Sequence, residues 1–242
     1  MDKFRIILHF LFLLLLTNHA CEKNEINKGQ QLNQPVTADS GLAVLNFSLD
    51  INKTIYQKTN FGDPPQLAIW IKDPESKITR TVWVSHRAGK NDWKGKVECP
   101  VALPFWQAQT VISKRHSDDQ RKKIVSIDAP SGATPVAGRF SADIKVPRES
   151  EWEYYIEVNV SADYNHSFPY WSKEGLPDSE ANGQPSLVYA GRIKADGISS
   201  NIPELIGRTQ QRRAVDSLSA ELEGITSAKR LIENIEVRSS SQ

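Results

Sequence analysis

The residues with the most chemistry to offer lie in the string Asp128-Ala129-Pro130-Ser131-Gly132-Ala133-Thr134. The Thr134 hydroxyl is a group that can end in a phosphoester. Gly132 and Ala133 would let a modifying enzyme approach the backbone closely. Ser131 and Asp128 are short polar residues suited to fixing the turn or orienting a phosphate and the hydroxyl. The same residues also make an ordinary turn between two strands, with Pro130 presetting φ and Gly132 tolerating positive φ. A second string, Tyr164-Asn165-His166-Ser167-Phe168-Pro169-Tyr170-Trp171, interleaves aromatics with Asn and His. On a loop it would suit contact with carbohydrate or protein, or it would pack its own rings over the edge of a sandwich. The five histidines (His9, His19, His86, His116, His166) lack ligand spacing, which points away from a metal site. No nucleophile elbow, paired-carboxylate signature, phosphate loop or dinucleotide fingerprint is present, and no histidine is linked in sequence to Ser131. Catalytic residues are therefore not assigned, and hydrolase activity ranks low.

The N-terminus reads as an address. Lys3 and Arg5 precede an apolar run from Ile6 to Leu16, and Thr17-Asn18-His19-Ala20 leads to Cys21. Residues 1–20 have a signal peptide's layout, too short for a comfortable transmembrane span. Ala20 before Cys21 suits lipidation of Cys21, although Asn18 stands where a lipobox usually has Leu. The favoured reading is a lipoprotein of the periplasm or outer membrane; a soluble secreted protein is the alternative. Residues 21–39 are too poor in apolar side chains to pack and read as a flexible tether.

Lys3, Arg5 and Asp2 fall within the signal, so the remainder carries 28 bases, 28 acids and no formal net charge. That argues against nucleic acid as the main partner, because phosphate binding draws on a basic surplus. With Cys21 acylated, Cys99 is a lone thiol expected to be buried near Val97 and Val101; the two cysteines suggest neither metal site nor disulfide framework. Asn-x-Ser/Thr sequons start at Asn46, Asn52, Asn159 and Asn165.

Period-2 alternation with β-branched and aromatic residues predicts strands over Leu42–Leu49, Gln66–Lys72, Thr79–Ser85, Lys123–Ile127, Arg139–Val146, Glu151–Val160 and Ser186–Ile193. Within them Leu67, Ile69 and Ile71 share a face opposite Ala68 and Trp70, and Val82 and Val84 share one opposite Thr81 and Trp83. Glu151, Glu153 and Glu157 line what should be a wet face. Leu103–Ile112 predicts a short helix with Pro104 at its first position. Leu218, Leu222, Ile225, Leu231, Ile232 and Ile235, mostly three or four apart, predict a C-terminal helix, with Ile235–Arg238 able to close as a small strand. The expected architecture is mainly β: an immunoglobulin-like antiparallel β-sandwich over 40–196, and a C-terminal helical extension over 197–242.

Three strings together carry a resemblance. Leu67-Ala68-Ile69-Trp70-Ile71-Lys72-Asp73 with the following Thr81-Val82-Trp83, then Leu103-Pro104-Phe105-Trp106, then Asp128 to Pro135, resemble the WIxD hairpin, LPxW and DxxSGATP motifs of an uncharacterised family of predicted bacterial periplasmic proteins. The late strand ending Tyr189-Ala190-Gly191-Arg192-Ile193 belongs to the same likeness, and Gly224 to Lys229 resembles Bacteroidetes-type lipoprotein members. The likeness spans about residues 40–195. It implies an exported β-rich domain with a non-enzymatic binding or accessory role in the envelope. The DxxSGAT string also resembles sites where bacterial flavin transferases attach FMN covalently to threonine, as in subunits of Rnf-type and sodium-pumping NADH:quinone oxidoreductases. That resemblance implies an alternative: an electron carrier with FMN on Thr134, near Ser131, Gly132 and Asp128, partnered with a flavin transferase and a membrane reductase. Trp70, Trp83 and Trp106 would then be stacking candidates, though large aromatics in alternating strands are usually core.

Overall fold

Among the described residues of the computed structural model, ten strands form two sheets. The described residues are 41–57, 65–94, 99, 102–117 (backbone only from 111), 130–133, 135–178, 182–211 and 217–241, all within the compact unit Asp39–Gln242. One sheet holds β1 (Leu42–Ile51), β5 (Gly138–Pro147), β8 (Ser200–Asn201) and β10 (Ile232–Ser241), in the order β5-β1-β10-β8. The other holds β2 (Gln66–Lys72), β3 (Thr79–Ser85), β4 (Ser131–Gly132), β6 (Glu151–Asn159), β7 (Leu187–Lys194) and β9 (Glu204–Arg208), in the order β4-β3-β2-β6-β7-β9. Neighbours are antiparallel except β3 and β4, which run parallel. The chain is mainly β, as its alternation implies.

Alternation explains the first sheet directly. Ala43, Leu45, Phe47, Leu49 and Ile51 of β1 are buried, while the residues between them stay half-exposed. That leaves the outer face of the sheet wet. Phe47 meets Tyr154 of β6 edge-on at 5.7 Å, joining the two sheets through the core. Strand β2 differs, because it is buried on both faces. Leu67, Ile69 and Ile71 enter the core between the sheets. Ala68 and Trp70 enter a second cluster with Val84, Val188, Leu103 and Trp106. Two helices roof that cluster: α1 of the chain (Lys53–Tyr56) lies elsewhere, and the roof is α2 (His86–Lys90) and α3 (Pro104–Ser117). The result is three layers, sheet on sheet with helical cover on the outer face. The β2–β3 hairpin turns at Asp73, whose Oδ1 accepts the N–H groups of Glu75 (2.8 Å) and Ser76 (3.0 Å).

Two expectations about facing fail, both at bulges. Ile69 pairs with Trp83 and Trp70 with Thr81, so Val82 is an extra residue in β3. Val82 therefore joins the inter-sheet core while Val84 joins the roofed cluster, on opposite faces. The second failure is larger: no α-helix forms among the described residues of the C-terminal segment. Residues 217–226 are irregular, Ser227–Arg230 make one 3₁₀ turn, and β10 follows. Ile51 pairs with Ile232 and Asp50 with Asn234, leaving Glu233 as the extra residue. The bulge turns Ile232 and Ile235, three apart, to the same core, and so imitates helical spacing in a strand. The strand expected over Lys123–Ile127 lies outside the described residues.

Because β10 lies between β1 and β8, a chain ended at Leu231 would strip β1 of one neighbour and open the core beside Phe47. Such a truncation should show no cooperative thermal unfolding by circular dichroism, whereas an appended helix could be removed with the transition retained.

Candidate functional site

The three strings that carry the resemblance are neighbours in space. The β2–β3 hairpin supplies Trp70 and Thr81, and α3 lays Trp106 over them with its indole N–H donating to Thr81 Oγ1 at 3.1 Å. β4 runs beside β3, with Val84 opposite Ser131 and Ser85 opposite Gly132, and Val84 N–H donates to Pro130 O at 3.1 Å. Ser131 and Gly132 are half-buried at this edge and Ala133 is exposed. A Cβ added at Gly132 would stand 3.1 Å from Trp83 Nε1, so the glycine fits tight packing there as well as a turn. Asp128, Thr134 and Cys21 lie outside the described residues, as do Val97 and Val101. Trp70 and Trp106 have no exposed surface and so present no ring face to a solvent-borne group. Trp83 is half-buried, its ring 4.8 Å from Phe140.

Glu157 holds this roof in place, and nothing in the sequence marked it. It belongs to the face expected to be wet, and on that face Glu151 is exposed and Glu153 pairs with Arg192 at 2.9 Å. Glu157, between Ala68 and Val188, is fully buried. Its Oε2 accepts Trp106 N–H at 2.7 Å and its Oε1 accepts Phe105 N–H at 3.3 Å, the orphan donors of α3's first turn. Pro104, with no N–H, needs no such partner. Ser186 Oγ donates to Oε1 at 2.6 Å and shares a second hydrogen bond with Thr209 Oγ1. Burial pushes the Glu157 carboxyl up to about 7; Ser186 and the two helix N–H groups pull the other way.

The aromatic string forms a braced loop with two rings outside. Asn165 Oδ1 accepts the N–H groups of Ser167 and Phe168, both at 2.9 Å, and its Nδ2 donates to Gly224 O at 2.8 Å. Phe168 enters the core, with the Arg208 guanidinium 5.5 Å from its ring centre. Further on, Asp178 N–H donates to Tyr170 O at 2.7 Å and Ser172 N–H to Leu176 O at 2.8 Å. Asp178 Oδ2 in turn accepts from the Asn182 and Gly183 N–H groups and from Gln211 Nε2. Burial and the nearby Asp178 charge keep the Tyr164 phenol protonated. Tyr164, Tyr170 and Trp171 meet edge to face at 5.4 and 5.2 Å, and Tyr170 is 43% and Trp171 59% exposed. The loop thus packs one ring inward, Phe168, and leaves two exposed, Tyr170 and Trp171.

Other sequence candidates fall to structural roles. His86 faces Asp92 at 3.4 Å on the surface and His166 is exposed; among the described residues no three metal-binding groups gather. Asn159 is buried and donates to Asn182 Oδ1 at 2.6 Å, which leaves no room for a glycan there. Cys99 is buried with its sulfur 4.0 Å from Asn182 Oδ1. No helix among the described residues is long and apolar enough to cross a membrane. No family model, curated protein or solved structure matches the chain.

Glu157 sets a pH dependence whose sign is fixed by burial. The folded protein keeps, up to about 7, a proton that the unfolded chain releases near 4.5. Its contribution is therefore fully present below pH 4.5 and is lost as pH rises through 7. Urea unfolding at pH 4.5 and 8 should show the wild type losing about 3 kcal/mol more than Glu157→Gln over that interval. Equal pH profiles for the two proteins would count against a buried, protonated Glu157.

Proposed function

We propose that the chain is an exported, lipid-anchored domain of the cell envelope that works by binding, in an immunoglobulin-like sandwich held to the membrane through Cys21. The exposed Tyr170–Trp171 pair carries this reading. Trp and Tyr give large contact area at small conformational cost when their backbone is fixed, and here the bonds from Asp178 and Ser172 fix it. The layout of residues 1–21 and the likeness to predicted periplasmic proteins support the location. In the unlipidated Cys21→Ser protein, Trp171→Ala should leave the melting temperature unchanged while lowering co-sedimentation with isolated envelope fractions at least fivefold, about 1 kcal/mol or more. Unchanged sedimentation would remove the loop from consideration.

A second reading, covalent FMN on Thr134, draws support from one observation: the Ser131–Gly132 edge is half-exposed beside the β2–β3 hairpin and α2, where a transferase could reach it. The protein would contribute position and shielding, and the flavin the redox chemistry. Co-expression with a flavin transferase should then add the mass of one FMN to the wild type and none to Thr134→Ala. An unmodified wild type would end this reading and leave the binding reading standing.

A further inference from the structure

On the outer face of the six-stranded sheet, the roof over Glu157 and Val188 ends at the next row, where the Tyr155 ring packs against Trp70 and Phe105. Tyr155, Ala190 and Glu204 lie side by side across β6, β7 and β9, and Glu153 and Arg192 form the next row. Together with Asn201 and Ile202 they bound an open groove of about 350 Å³. Glu153 is satisfied there: Arg192 lies 2.9 Å from Oε1 and the Tyr155 hydroxyl donates to Oε2 at 3.2 Å. Glu204 makes no ion pair among the described residues. Among the described lining residues two carboxylates stand against one guanidinium, a negative balance that selects a cation.

The rim is apolar and rigid. Ile202, which lines the groove, is 75% exposed. Asp196 Oδ1 accepts the N–H groups of Ile198 (3.0 Å) and Ser199 (2.8 Å), and the Tyr154 hydroxyl donates to Asn201 Oδ1 beneath. An exposed apolar side chain on a fixed backbone beside a charged groove is the anatomy of a docking surface. A second copy fits it poorly. Antiparallel pairing of two β9 strands about Glu204 would set like charges opposite each other. Pairing about Ile206 meets Ser219, which already bridges Arg208. Pro203 and the register shift between Val188 and Tyr189 further blunt this edge.

We propose that this groove receives a lysine or arginine side chain from a partner protein, whose flanking aliphatic residue covers Ile202. The methylene stem lies over Ala190 and the Tyr155 ring, and the cationic head reaches Glu204. The site uses no residue of the aromatic loop and stands or falls separately from it.

The full chain can be titrated by NMR with the synthetic peptide Ile-Lys-Val-Arg-Ile and with its counterpart carrying Glu at both basic positions. The basic peptide should shift the amides of Tyr155, Ala190–Arg192, Asn201, Ile202 and Glu204 saturably, and the acidic one should not. Affinity should fall at least tenfold in Glu204→Lys, an exposed position that leaves folding intact, and severalfold as salt rises from about 50 to about 500 mM. Absence of saturation, equal binding of the acidic peptide, or an unaltered Glu204→Lys would overturn the proposal. So would concentration-dependent shifts at these amides without peptide, which would make the occupant a second copy.

Discussion

Strand β2 buries Leu67, Ile69 and Ile71 on one side and Ala68 and Trp70 on the other, and a strand so placed needs a layer on each face. The four-stranded sheet provides the first, with β1 contributing Leu45, Phe47 and Leu49. The helical roof provides the second, with Leu103 and Trp106 closing over Trp70. A helix laid on a sheet brings unsatisfied N–H groups into a region without water. Glu157 answers that need from the sheet itself. Its carboxyl is thereby held between burial, which favours the proton, and three hydrogen-bond donors, all of which favour the charge.

The surfaces able to meet other molecules lie where this layering ends. The aromatic loop follows β6, anchored inward by Phe168 and outward-facing at Trp171. The negative groove opens where the roof gives out. The Ser131–Gly132 edge borders β3, next to Trp83. A rigid sandwich thus carries its chemistry on edges and connections, where side chains are not committed to the core.

The strands were legible because side-chain period in a half-buried sheet is a local property. Gln66–Lys72 and Thr79–Ser85 match the observed β2 and β3, and Pro104 does begin α3. Glu157 was not legible: alternation places it on β6's outer face, but only the packing of α3 says whether that face is wet. For the aromatic string, composition offered an inward and an outward reading, and the hydrogen bonds of Asn165 and Asp178 divided its rings between them.

Single extra residues mark the boundary between what is local and what is not. The amino-acid pattern by itself determined that this chain would be mainly β, and which residues would be apolar neighbours on a strand. Where β3 or β10 carries one residue more than its partner, at Val82 and Glu233, every side chain beyond it changes face. A bulge arises from pairing with another strand, and no window of sequence contains that partner. Tertiary structure alone therefore decided that a helix-like spacing at Ile232 and Ile235 would be a central strand, and that one acid of three would be buried under a helix.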